Sequence, residues 1–181
     1  MRKLSFLGGL VLFAAVPAMA QEYNKWEAGG GYTYIRLDAG AAGTRDCHGG
    51  GGTAAVNLNS WLGGAAEVSG CKVTGLASGV SASAVSYLFG PRVTYRRYSR
   101  FEPFGEFLFG GAHDSISVSG VGSTTDNAFA FAIGGGVDYK FSDRIAIRLG
   151  QADYLYTKFG NNTHQNNARI QAGIIFRFGI R

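Results

Sequence analysis

The last fifteen residues, Asn167 to Arg181, limit what this chain can fold into more than any other stretch. One alternate set reads Ala168, Ile170, Ala172, Ile174, Phe176, Phe178, Ile180, and the other Arg169, Gln171, Gly173, Ile175, Arg177, Gly179, Arg181. Successive side chains of a strand point to opposite faces, so the two sets line the two faces of one strand. One face is wholly apolar and includes two phenylalanines. The other carries three arginines and a glutamine. A soluble sandwich, or a lipocalin-like barrel, would bury the apolar face and leave the arginines to water. A transmembrane barrel turns apolar residues to lipid and polar ones to its lumen. The last strand alone fits either arrangement.

The N-terminus chooses between them. Met1 to Ala20 reads as a secretory signal: Arg2 and Lys3 charge its start, Leu4 to Val16 is mostly apolar, and Ala18-Met19-Ala20 is a small-residue cleavage site before Gln21. The apolar run is too short to span a bilayer. Its removal would take two of 17 basic residues and leave 12 acids, for a net charge of +3. So mild a charge points to neither nucleic acid nor an acidic substrate. No later run reaches the roughly 18–20 apolar residues of a spanning helix. Helical periodicity is scarce. The 29 glycines lie among apolar runs and only three prolines occur, which suits short, closely packed strands. Residues 21–181 are therefore expected to form one secreted all-β domain.

Eight strands are expected, near Lys25–Leu37, Thr53–Asn59, Leu62–Lys72, Ser81–Tyr95, Pro103–His113, Asn127–Tyr139, Arg144–Tyr156 and the final segment. A Gly-rich loop through Gly52 and a Ser/Gly-rich loop from Asp114 to Thr125 separate some of them. Connections after the first, third, fifth and seventh strands read as long; those after the second, fourth and sixth read as short. Outer-membrane barrels show that asymmetry, with short periplasmic turns and longer outside loops. Closure of an even number of strands removes sheet edges, which in lipid cost several kcal/mol per unpaired amide. Pro91, inside the fourth strand, suggests a bulge. The seventh strand breaks phase: with Arg148 inward, strict alternation sends Gln151 and Asp153 into lipid. An extra residue near Leu149-Gly150 would turn both inward and turn Tyr154 and Tyr156 outward.

With these features the chain resembles the small eight-stranded outer-membrane β-barrels, the family of the OmpA transmembrane domain and OmpX. The most specific element is QAGIIFRF, Gln171 to Phe178. It is similar to the assembly signal of that class: a polar residue, glycine two later, aromatics five and seven later. The resemblance implies a closed up-and-down barrel in the bacterial outer membrane, in contact with its lipid. It also implies recognition by the outer-membrane insertion machinery through Gln171, Gly173, Phe176 and Phe178. This chain adds Gly179-Ile180-Arg181 after the last aromatic. It stops at the barrel, so no cell-wall anchoring role is carried over.

Glu27, Glu67, Arg92, Glu106, Asp138, Arg148, Arg169 and Arg177 fall on inward positions. Buried charges must pair to be tolerated, and eight strands leave an interior just wide enough for side chains to fill. A salt-bridged plug is expected; a narrow, gated ion path is the alternative. Cys47 and Cys71 centre on Asn59, so they are expected to face each other at the outer end of the second–third hairpin and to form a disulfide in an oxidising compartment. Zinc bound through His48 lacks a fourth ligand. His113-Asp114-Ser115 is the one enzyme-like cluster, and some barrels of this size that modify lipid A resemble it. Neighbours on a strand point to opposite faces, however, so a rim histidine is the plainer reading. The glycines at 49–52 and 134–136 lack the lysine and following helix of a phosphate loop. Trp26, Tyr32, Tyr34, Trp61, Tyr87, Tyr95, Tyr139, Tyr154 and Tyr156 fall near strand ends, where they would form interfacial girdles. The expectation is a monomeric, non-enzymatic barrel without metal, cofactor or nucleic acid. It would serve a structural or surface-interaction role through its outer loops toward an unidentified extracellular ligand.

Overall fold

Alternation over long stretches produces eight strands: β1 (Asn24–Asp38), β2 (Thr44–Asn57), β3 (Leu62–Val73), β4 (Val80–Thr94), β5 (Phe101–Val118), β6 (Gly122–Lys140), β7 (Ile145–Phe159) and β8 (His164–Ile180). Each pairs antiparallel with the next, and β1 pairs with β8, closing the sheet into a barrel. This computed structural model describes residues 23–38, 43–73, 80–98, 100–120, 122–160 and 164–180. The signal segment Met1–Ala20 lies outside the described residues.

The two faces divide as the sequence dictates. Trp26, Tyr32, Phe89, Phe107, Ile133, Ile174 and Phe176 stand exposed on the outer wall. Glu67, Arg92, Asp138, Arg169 and Arg177 are buried on the inner wall. A water-soluble carrier would show the reverse. Among the exposed aromatics, Trp26, Trp61 and Tyr95 ring the end that carries the termini, while Tyr32, Tyr87 and Tyr154 stand toward the opposite end.

The β7 irregularity lies at Leu149-Gly150. β6 pairs Val137 with Gly150 but Asp138 with Arg148, and β8 pairs Gly173 with Arg148 but Gln171 with Gln151. The extra residue restores the phase, so Gln151 and Asp153 are buried and Tyr154 is exposed.

Three expectations fail. The Gly-rich segment is no loop: Gly49 to Gly52 lie within β2, paired with β1 and β3. A Cβ at Gly49 would collide with the carbonyl of Gly70, and one at Gly31 with that of Ala172. Glycine here permits close strand approach rather than a turn. Residues 114–125 are likewise mostly strand, since β5 and β6 pair as far as Val118 with Gly122. The long connection expected after the fifth strand is therefore short, its length having gone into strands that run on; those expected after the first, third and seventh strands lie largely outside the described residues. Finally, Pro91 makes no bulge. The β4–β5 ladder lapses between Phe89↔Phe109 and Arg92↔Glu106 and resumes in the same register. A missing N–H removes a bond without adding a residue.

Candidate functional site

The inner wall has two parts. The half toward the termini, reaching mid-barrel, is charged. All eight inward charges expected from the sequence are buried there, and the structure brings seven of them into ion pairs. Arg92 bridges Asp138 at 3.0 Å and Glu27 at 3.7 Å. Arg148 meets Asp138 at 2.9 Å and Glu67 at 3.6 Å. Arg169 meets Glu67 at 2.6 Å and Asp153 at 2.8 Å. Arg177 reaches Glu27 at 3.7 Å. Glu106 has no such bridge; its Oε1 accepts from Gln151 Nε2 at 2.8 Å.

Sequence reading missed Arg96, Glu102 and Phe104. Arg96 and Glu102 bound the short connection expected between the fourth and fifth strands. In the structure the Arg96 side chain folds into the lumen, 3.1 Å from Glu27 and 3.5 Å from Glu102. Glu102 lies in β5 and takes a two-pronged bond from Arg177 at 3.1 and 2.8 Å. Phe104 is a buried aromatic of the inner wall. Arg92 sits 3.8 Å from its ring centroid and Arg148 4.5 Å, so its face receives two guanidiniums. The cavity beside Glu67, Arg148 and Gln171 measures about 20 Å³, room for a single water. The arrangement is a plug of paired charges.

The far half is mostly apolar, with Ser69, Ser86, Thr157 and Asn167 buried among its hydrophobic side chains. Ile35, Leu88, Leu108, Ala112, Ala130 and Leu155 pack inside it with the Cys47–Cys71 disulfide. The cysteines are not directly opposite as expected: β2 and β3 pair Cys47 with Val73 and Gly49 with Cys71. The bridge is diagonal, across a Cα separation of 5.5 Å. His48 stands on the opposite face from Cys47. It is exposed, with Nδ1 2.5 Å from the Tyr32 hydroxyl, so the two cannot share a metal. His113 Nδ1 hydrogen-bonds Asn127 Oδ1 at 2.8 Å, which gives the imidazole a partner on β6. Above this packing the barrel mouth holds a cavity of about 290 Å³, lined in part by Leu37, Arg45, Val73, Asp114 and Gln165.

In the final strand Phe176 and Phe178 are exposed on the outer wall. Gln171 faces inward, its Nε2 donating to Thr33 Oγ1 at 3.2 Å. Gly173 lies so close to β1 that a Cβ would collide with the carbonyl of Gly30.

Residues 6–178 match the family described as outer membrane protein beta-barrel domain. Among solved structures, neisserial surface protein A (NspA) aligns over 87% of this chain and 99% of its own, at TM-score 0.70 and 14% identity. Ail, the attachment invasion locus protein of Yersinia pestis, aligns over 88% and 100%, at 0.62 and 19%. Ail has also been crystallised with the heparin analogue sucrose octasulfate. The N-terminal barrel domain of Pseudomonas aeruginosa OprF aligns over 87% and 100%, at 0.51 and 15%. At these identities the structures establish the shared fold. Among curated proteins, none matches the chain.

Proposed function

The chain belongs to the outer membrane β-barrel family and is a bacterial outer-membrane protein, and from that premise we propose that it is a non-enzymatic surface-interaction protein. One observation carries the reading: β6 outruns its β7 neighbour, while β4 accompanies β5 as far as Val118. β5 and β6 pair to Val118 and Gly122, whereas the β6–β7 ladder begins only at Ala128↔Phe159. Among the described residues, 122–127 of β6 have no ladder partner on the β7 side. A sheet edge with unpaired amides is a template for another chain. Its side chains are polar and exposed, including Ser123, Thr124, Thr125 and Asp126. The specificity-bearing elements are thus projecting strands rather than long loops.

Arg36, Lys72 and Lys158 add exposed positive charge to the outer wall toward the same end. The crystallisation of Ail with a sulfated sugar makes a sulfated polysaccharide the first ligand class to test. The plug and its one-water cavity favour a scaffold over an ion path. The leader Met1–Ala20 would direct export. Gln171, Gly173, Phe176 and Phe178 would present the assembly signal to the insertion machinery.

The test uses cells displaying the full chain, scored for binding to heparin-coated beads and to cultured epithelial cells. Display should raise binding. Replacing residues 116–124 by Asn-Gly, which joins the Ser115↔Thr125 pair through a two-residue turn, should abolish the gain while the barrel stays inserted. No gain on display would sink the reading. Single-channel openings in planar bilayers would favour the pore, and a lipid A mass spectrum altered by the wild type but not by Ser115→Ala would favour an enzyme.

A further inference from the structure

The lumen charges do not balance. Among the described residues, Glu27, Glu67, Glu102, Glu106, Asp138 and Asp153 face Arg92, Arg96, Arg148, Arg169 and Arg177. Six carboxyls meet five guanidiniums. The surplus can be located. Every other carboxyl has at least one arginine within salt-bridge distance, and Glu106 has none. Glu106 is 6% exposed and Asp153 5%. Glu106 Oε2 and Asp153 Oδ1 are buried without a hydrogen-bond partner.

The two orphan oxygens belong to one cluster. Glu106 and Asp153 flank Gly134 from β5 and β7. A Cβ on that glycine would crowd Asp153 Oδ1. One carboxylate oxygen from each of Glu67, Glu106 and Asp153 can be chosen so that all lie within 4.8 Å of one another. Gln151 Nε2 donates toward all three, at 3.1, 2.8 and 2.9 Å. An amide nitrogen has two hydrogens, so three acceptors leave one short. Its orientation is fixed, because Gln151 Oε1 accepts from Arg148 Nη1 at 2.6 Å. The surroundings of Glu106 are Glu67 from β3, Arg92 from β4, and Arg148 and Asp153 from β7, with Arg169 of β8 already engaged by Glu67 and Asp153.

We infer that the Glu67–Glu106–Asp153 cluster binds one further unit of positive charge at Glu106, a proton or a small metal cation. Three carboxylates around one amide, away from bulk water, repel one another at short range, and an uncompensated buried charge is strongly destabilising. A proton on Glu106 removes one charge and creates the missing donor for an orphan oxygen. A cation would draw on the same oxygens and displace the amide from between them.

The test is the unfolding midpoint of the refolded, full barrel in lipid vesicles. One arm varies pH from about 6 to about 9, with chelator and with tetramethylammonium as the bulk salt cation. The other adds sodium or calcium at the higher pH. Deprotonating an uncompensated carboxyl costs the folded state, so wild-type stability should fall as pH rises. Restoration by sodium or calcium would identify a metal cation as an acceptable source; no restoration would identify the proton. Glu106→Gln, neutral and of the same shape, should fold and respond in neither arm. A wild type flat in both arms overturns the inference, as does a Glu106→Gln variant that keeps the wild-type response. Should that variant fail to fold, the wild type still decides. The absence of both a protonated-carboxyl infrared band at neutral pH and one bound ion per barrel by equilibrium dialysis would end the idea.

Discussion

The two halves of the lumen are filled by opposite chemistry. Toward the periplasm, arginines and carboxylates interlock around Phe104. Toward the outside, leucine, isoleucine and alanine pack beside a disulfide. Both halves meet the same demand, a filled interior with no unpaired backbone, yet they should respond differently to damage. An apolar half loses dispersion and leaves a void when a side chain is cut back. An ionic half is left with charges that have lost their partners, a larger penalty.

Four measurements sharpen or break that contrast, all read as urea unfolding of the refolded barrel. Arg169→Ala strips Glu67 and Asp153 of their shared partner and should cost about 4 kcal/mol. Reducing the Cys47–Cys71 bridge, whose cysteines are 24 residues apart, should cost about 3 kcal/mol in the chain-entropy account. Leu108→Ala, at a fully buried position of the apolar half, should cost about 2.5 kcal/mol. If it equals or exceeds Arg169→Ala, the two halves do not differ as argued. The smallest effect lies outside the lumen, at the periplasmic β6–β7 turn. The hydrogen bond and charge of Lys140 hold the Asp143 carboxyl below its ordinary range. Stability from that pair is present above the unfolded-state value and fades as pH falls through the folded one. The pair is exposed, so Asp143→Asn should lower the neutral-pH midpoint only slightly and converge with the wild type as the pH falls.

The sequence showed the outer wall plainly, because lipid accepts only apolar side chains and a period of two cannot hide. The interior was harder to read. Inward charges could be assigned by phase, and the break at Leu149-Gly150 could be found because Asp153 would otherwise meet lipid. Arg96 and Glu102 were missed because charge near an interface resembles an ordinary turn; only the length of the Arg96 side chain returns it to the lumen. Phe104 was missed because an aromatic in such a chain suggests lipid, whereas this one receives two guanidiniums. The strand at Gly49–Gly52 left no side-chain pattern to read. Its evidence lies in neighbours that a Cβ would strike, and those are visible only in three dimensions. Polar, small residues hid the β5–β6 extension, since an exposed strand beyond the apolar belt has no face to alternate.

The cross-link joins β2 to β3, which are already sequence neighbours. Oxidation can therefore take place before the cylinder exists, on a hairpin still waiting in the periplasm. The junction of first and last strands, Gly29 to Gly31 against Ile175 to Gly173, carries no covalent tie and stays free to part. A clasp placed there instead would commit the chain to a ring too early to be threaded into a bilayer.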